Sequence, residues 1–372
     1  MSTFSPSAPT PPTARSSLWR RSAILALGLS LPLLSISPGA VQAVAEPLAP
    51  AAAALPTASG TAQSLRVASF NVRCANCSLT MRTSSREKKW ETRRATVIAQ
   101  IKGEKVNVIG LQEASPGLLK GTSISQFEDL TNRLGGSYRL TNDKRYGCAK
   151  STSYRNCDKV NNGAAADVRI VYNSKRLSLL DQGSRQLDNE PATSGPRFVA
   201  WASFKDRTDG RRFFVANVHT EPGQSKAVRA LRVKQAVKII AEIRAENRDR
   251  LPVVMLGDFS ATKLTAANQV YDAMMNSGLV IDPLGNSHKA KSARKATARK
   301  LINVKYDTLN NFKAKPTSRK NYSLGAHIDY ILTSKSIRVL EYKVVLKLKS
   351  NAAFAGVIPS DHNMVRATIR LA

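Results

Sequence analysis

Acidic side chains are scarce in this chain: 26 Asp and Glu stand against 57 Lys and Arg, a formal net charge of +31. A field of that sign disfavours cationic partners and favours polyanions such as nucleic acid, anionic lipid or cell-wall polymer. Aromatic residues are also few, at 6%, which argues against a dedicated platform for stacking single-stranded bases. The apolar run from Ala23 to Ile36 spans about 14 residues and contains Pro32. A membrane span needs roughly 20 residues, so this run is too short for a retained anchor. There are four cysteines and four histidines. What is not lacking is apolar content: 42% of the residues are hydrophobic, enough for a large core and too much for a disordered chain.

The N-terminus reads as an export signal over residues 1–43. Arg15, Arg20 and Arg21 precede the apolar run, and Val41-Gln42-Ala43 offers a small-residue cleavage site near Ala43. Arg20-Arg21 also fits the dipeptide of a twin-arginine signal. Residues 44–63 are dominated by Ala, Pro, Thr and Ser and read as a flexible linker. One domain over residues 64–372 is the simplest remainder, secreted and monomeric. The cysteines form two close pairs, Cys74/Cys77 and Cys148/Cys157. An even count in an exported chain predicts two local disulfides, with zinc ligation as the alternative for such pairs.

Periodicity predicts an α/β fold. Leu65–Val72, Val106–Gln112, Phe213–Val218, Val253–Leu256 and Ile328–Leu332 read as strands. Arg86–Lys102 reads as a helix, as does Ala227–Ile243 with Val228, Leu231, Val237, Ile240 and Ile243 as its apolar positions. Some strands follow one another with only a turn between, so the sheets are mixed, with helices outside. The apolar strands run directly into polar groups: Asn71, Glu113, His219 and Asp258. A carboxylate after one strand is more often a turn former or a cap. Four polar strand ends together suggest a ligand crevice. His219 and His362, beside strand-borne carboxylates, are candidates for proton transfer or phosphate contact; His327 stands two residues before Asp329, and His288 lies in a basic stretch.

Six motifs then occur in a recognisable order: Ser69-Phe70-Asn71-Val72, Leu111-Gln112-Glu113, Asn217-Val218-His219, Gly257-Asp258-Phe259-Ser260, Ile328-Asp329-Tyr330 and Ser360-Asp361-His362. This order resembles the endonuclease/exonuclease/phosphatase superfamily. The resemblance implies a four-layer α/β sandwich of two packed mixed β-sheets flanked by helices. It implies Mg²⁺ as cofactor, with Mn²⁺ or Ca²⁺ as alternatives, held by Glu113 with Asn71 and Asp361 close by. By the same resemblance Asp258 orients or deprotonates the attacking water, His362 pairs with Asp329, and His219 and Arg169 contact the phosphate. Hard cations prefer oxygen donors, so the implied ligand types suit the implied metal.

Ser260 stands where the superfamily usually has Asn, so a reduced activity or an unusual substrate follows if that position holds substrate. From Gly285 to Lys320 the chain carries eleven Lys or Arg and one acid, Asp307. Such a segment suits tracking of a nucleic-acid backbone without sequence reading. The expected activity is therefore a secreted, metal-dependent phosphodiester hydrolase acting on DNA or RNA. The alternatives are a sphingomyelinase-like phospholipid phosphodiesterase, a phosphatase, or a non-catalytic polyanion-binding protein of the same fold.

Overall fold

In a computed structural model, the described residues are 63–77, 84–141, 167–190, 195–264, 269–285, 296–319 and 323–372. The export signal, nearly all of the linker, Cys148, Cys157 and His288 lie outside them. Among the described residues, twelve strands and four helices follow in chain order. They begin β1 (Ser64–Asn71), α1 (Trp90–Gly103), β2 (Val108–Gln112), α2 (Gln126–Leu134), β3 (Tyr138–Leu140) and β4 (Arg169–Asn173). Next come β5 (Leu177–Gln186), β6 (Phe198–Asp206), β7 (Arg212–His219), α3 (Lys226–Glu246), β8 (Val253–Asp258) and α4 (Gln269–Asn276). The chain closes with β9 (Lys300–Ile302), β10 (Asp329–Thr333), β11 (Arg338–Val344) and β12 (Val365–Arg370).

The strands form two sheets, a seven-stranded one ordered β3-β4-β2-β1-β12-β11-β9 and a five-stranded one ordered β10-β8-β7-β6-β5. Both are mixed: β1 and β2 are parallel, as are β7 and β8, whereas β12 runs against β1 and β10 against β8. Strand alternation explains the layering. In β1, Leu65 and Val67 join Val108, Val215, Val254 and Leu256 in one core between the sheets. Ala68 and Phe70 face the other way and pack with Trp90, Val97 and Ile101 of α1 and Phe127 and Leu130 of α2. On the outer side of the five-stranded sheet, Ala216, Val218 and Met255 pack with Ile239 and Ile243 of α3 and Met274 of α4. The order helix, sheet, sheet, helix is the expected four-layer sandwich.

One helix start and one buried helix face differ from expectation. The first helix begins at Trp90 rather than Arg86, because Lys89 is extended and Glu87 is buried in an ion pair with Arg73. On α3, Val237 is 57% exposed, and the buried face runs through Ala236, Ile239, Ile240 and Ile243 instead. Ala236 keeps the helical spacing to Ile240 and Ile243, which turns Val237 to solvent.

Polar groups stitch the sheets together near one end. Asn217 of β7 donates to the backbone carbonyls of Leu111 and Arg169 in the opposite sheet, at 2.9 Å each. Its Oδ1 accepts from Gln112 Nε2 at 2.6 Å. A Cβ at Gly110 would stand 2.5 Å from Asn217 Oδ1, so glycine at that position is what admits the crossing.

Candidate active site

Strand direction and alternation bring the polar residues to one end. β1, β2, β7 and β8 finish there, and the antiparallel β10 and β12 begin there. On the inner face Asn71 continues the row of Leu65 and Val67, His219 that of Phe213 and Val215, and Asp258 that of Val254 and Leu256. In the five-stranded sheet Asp258 is in register with both His219 and Asp329. Across the gap, Asn71 Nδ2 donates to Asp258 Oδ2 and to Glu113 Oε1, each at 3.0 Å, tying the two sheets' carboxylates together.

Asp258 sits between two imidazoles. The Nε2 atoms of His219 and His362 each lie 3.7 Å from Asp258 Oδ2. Each ring is backed at Nδ1 by another carboxylate: His362 by Asp329 at 3.0 and 3.2 Å, His219 by Asp167 Oδ2 at 2.8 Å. Ser260 N–H donates to Asp258 Oδ1 at 2.8 Å, and the Thr308 hydroxyl accepts from Asp329 N–H at 3.2 Å.

These contacts polarise the protonation states. Burial works against the His362 cation, but Asp329 and Asp258 hold its pKa well above the ordinary histidine value. Burial works against the Asp258 anion, yet His362 and His219 keep its pKa below the usual carboxylate value. Asp329 is pushed up by burial and by Asp258, against His362. Asp167 is held down at about 2 despite burial, by His219 and Arg197.

A second carboxylate cluster adjoins the first. Glu113 follows β2 with φ 55°, a left-handed conformation rare for a side chain of this size. Its Oε2 accepts from Cys74 N–H at 3.1 Å. The Arg73 guanidinium, also on a residue at φ 55°, lies between Glu113 and Asp361, 3.9 and 3.8 Å from their oxygens. Burial disfavours the Glu113 anion, but His219, Arg73 and His362 hold its pKa low. Asp361 is pushed up by burial and by Glu113, against His362 and Arg73.

The loop carrying Arg73 is clamped from outside. Buried Arg93 of α1 donates to the carbonyls of Val72, Arg73 and Pro359, at 2.7–3.0 Å. Burial lowers its pKa to about 10. Ser125 and Glu128 form a capping box that starts α2 and sets Gln126 in its first turn. The Gln126 side chain accepts from Ala75 and Ser115 N–H and donates to the Arg73 carbonyl, at 2.8–3.0 Å.

The chain belongs to the endonuclease/exonuclease/phosphatase family. The family model of that description matches residues 68–362. A family protein of solved structure from Bacteroides thetaiotaomicron is 22% identical, with a TM-score of 0.61, over 84% of this chain and 100% of the other. A mannosyl-6-phosphatase from the same organism is 20% identical (TM-score 0.57, 82% and 99% covered). The human Nocturnin catalytic domain, solved with bound sulfate, is 17% identical (TM-score 0.53, 83% and 95% covered). At these identities the likeness is one of fold. No curated protein sequence matches.

Among the expected site residues of this family member, Asn71, Glu113, His219, Asp258, Ser260, Asp329, Asp361 and His362 converge. Arg169 does not. It is fully buried, its guanidinium 4.1 Å from the centre of the Phe127 ring in the layer facing α2. Strand alternation puts it on the side of Val171 rather than Ile170, so it is closed off from a substrate phosphate. Two residues earlier, Asp167 is the group that reaches the site. His327 is also structural: it is buried, its Nε2 meets the Val304 carbonyl at 2.9 Å, and burial lowers its pKa to about 4. Arg73, Asp167 and Arg197 escaped the sequence reading because they carry no motif of their own, although Arg73 sits two residues past Asn71.

The donor set fits a hard divalent cation at Glu113 and Asp361. Both offer carboxylate oxygens, and each disfavours the other's charge, a repulsion that a dication would relieve. Asn71 lies beside this cluster, as expected. Its oxygen accepts from Arg73 N–H at 3.0 Å and its nitrogen faces the carboxylates, so it holds Glu113 in place. Asp258, Asp329 and His362 also bring three donor atoms within 4.8 Å of one another. In that group His362 Nδ1 lies 3.0 Å from Asp329, and its Nε2 faces Asp258.

Proposed function

We propose that this family member is an exported phosphodiester hydrolase acting on nucleic acid, DNA or RNA, with a divalent cation, Mg²⁺ first among them, at Glu113 and Asp361. The observation that carries the reading is the pair of carboxylate-backed histidines flanking Asp258, with the Glu113–Asp361 cluster alongside. A phosphodiester is anionic and repels hydroxide, so its hydrolysis needs positive donors on the phosphate and a base on the water. Asp258, anionic and fixed by Ser260 and Asn71, takes the proton of the attacking water. His362, kept cationic by Asp329, donates from Nε2 to a phosphate oxygen. His219, oriented by Asp167, contacts the phosphate from the other side. The cation supplies charge neutralisation at the same phosphate when bound. Ser260 supports the base through its backbone N–H, a contact that does not need the amide usual at this position.

The surface beside the site supports a polyanionic substrate. Asn310 and Asn311 N–H donate to the Asp361 carbonyl at 2.6 and 3.0 Å, so the loop that follows lies against the site. That loop exposes Lys313 and Lys315. Phe354 N–H donates to the Ala314 carbonyl at 3.0 Å, joining a second loop that exposes Lys347 and Lys349. None of the four lysines has a carboxylate partner among the described residues. Only Leu180 and Val237 are exposed large hydrophobics there, which disfavours a lipid-inserting hairpin among the described residues. No helix among them is long and apolar enough to cross a membrane.

The test is a panel of plasmid DNA, RNA, sphingomyelin and sugar phosphates, each with Mg²⁺, Mn²⁺ or chelator. Nucleic acid should be cleaved only with metal, and Glu113→Gln should bind Mg²⁺ more weakly while keeping its fold. Metal-independent cleavage, or a Glu113→Gln enzyme equal to the parent, overturns the assignment.

A further inference from the structure

Cys74 and Cys77 form a disulfide, with Cα atoms 5.3 Å apart, on the loop that touches Glu113. A sulfur of each and a Glu113 carboxylate oxygen all lie within 4.8 Å of one another. The cysteines are 8% and 5% exposed, whereas the Glu113 side chain is 20% exposed, so Glu113 is the approach from solvent. The loop is held independently of the disulfide, by Arg93 on the Val72 and Arg73 carbonyls and by Gln126 on Ala75 and Arg73. Its backbone therefore has anchors that persist when the S–S bond is gone.

We propose that reduction of this disulfide creates a zinc site formed by Cys74 Sγ, Cys77 Sγ and Glu113, with water as the fourth ligand. Two thiolates and a carboxylate suit zinc, which takes sulfur and oxygen donors tetrahedrally. Donors at about 2.3 Å from a tetrahedral ion stand roughly 3.8 Å apart, so the two sulfurs, bonded in the oxidised chain, must separate to that spacing as the ion enters. The two-residue gap between the cysteines is the usual spacing of zinc ligand pairs. The redox step balances with a tertiary phosphine as reductant. The S–S bond breaks, the phosphine becomes its oxide with the oxygen of one water, and that water's two hydrogens complete the two thiols. Zinc binding then releases both thiol protons. The site shares Glu113 with the proposed catalytic cation, so thiolate-held zinc and the hard cation compete for one carboxylate. The oxidised chain is thereby committed to oxygen-ligated metal.

The zinc site itself stands without the catalytic reading; only the competition rests on it. The test uses the full chain carrying Cys148→Ser and Cys157→Ser, so that the thiols at issue are Cys74 and Cys77. After phosphine reduction it should bind one equivalent of Zn²⁺, and Co²⁺ in its place should give a sulfur-to-cobalt charge-transfer absorption. The oxidised chain should bind zinc at least ~100-fold more weakly. Adding Cys74→Ser and Cys77→Ser should abolish the absorption, and Glu113→Gln should weaken zinc roughly tenfold while leaving the absorption in place. No zinc uptake on reduction, or affinity unchanged by Glu113→Gln, overturns the proposal. Circular dichroism of the reduced chain separates unfolding from failed ligation. Zinc uptake that leaves Mg²⁺ affinity untouched sinks the shared role of Glu113, whereas failure of the nuclease assay alone sinks only the catalytic reading.

Discussion

His362 Nδ1 lies 3.0 Å from Asp329, and if the two act as a proposed acid–base pair their energetics should show it. Asp329 is buried at the head of β10, where an unpaired carboxylate is costly, and His362 is the partner that makes the position tolerable. His362→Ala should cost at least the ~10²-fold typical of removing a positioned proton-transfer group. Asp329→Asn should cost less, because the ring remains. The double variant should be no slower than His362→Ala, since the two act as a unit. The pH dependence has a definite sign. Asp329 raises the His362 pKa, so the cation persists to higher pH and activity falls as pH rises through that value. Removing the carboxylate moves the alkaline limb to lower pH. Losses that multiply would mean that Asp329 acts independently of His362, and an unmoved limb that it does not set the His362 pKa. At this scale the sequence was readable wherever a residue stood in a motif. Asp167 and Arg197 were not, because they meet His219 only once the sheet carrying β4 packs against the sheet carrying β6 and β7. Arg169 was misplaced for the same reason: the neighbourhood was visible, but the face its side chain takes depends on strand alternation around Ile170.

Strands and loops position the chemistry through close approach, and Gly110 is the tightest point. It lies in β2 under Asn217, which crosses to the opposite sheet and also holds Gln112. Gly110→Ala would drive a methyl group into Asn217 Oδ1 and should destabilise the fold by ~1–3 kcal/mol, the usual range for overpacking. Urea unfolding measures it, with stability equal to the parent's showing that the sheets can part without penalty. The strands themselves were legible, since period-two alternation and apolar runs mark them directly. Helix faces were less so: Val237 fits an apolar stripe by composition, yet Ala236 takes the buried position, and a small residue leaves little hydrophobic signal. The start of α1 was hidden as well, because Glu87 and Lys89 have no helix-breaking character; the Arg73 ion pair takes up Glu87, and Lys89 is extended.

Across the whole molecule, the surplus of Lys and Arg becomes informative only when part of it is located. A net charge of +31 says that polyanions are attracted, but it does not separate a binding surface from general solubility. The described part of the basic segment narrows this. Lys313 and Lys315 stand on the loop bonded to the Asp361 backbone, and Lys347 and Lys349 on the loop bonded to Ala314. Residues 309–319 and 345–358 contain no acid, so nothing within these stretches neutralises them. Lysines that only solvate the surface should change nothing when removed. Lysines that meet phosphates should release counterions on binding, and each lysine–phosphate pairing removed should lower the slope of log affinity against log salt by about 0.9 for duplex DNA. Replacing all four with Gln should therefore flatten that slope by ~2–4 units and weaken DNA binding most at low salt. Hydrolysis of a small phosphodiester, which reaches Asp258 and His362 without spanning the loops, should stay within about twofold. A slope unchanged in the fourfold variant would assign these lysines to solvation and leave the polyanion preference to the rest of the surface.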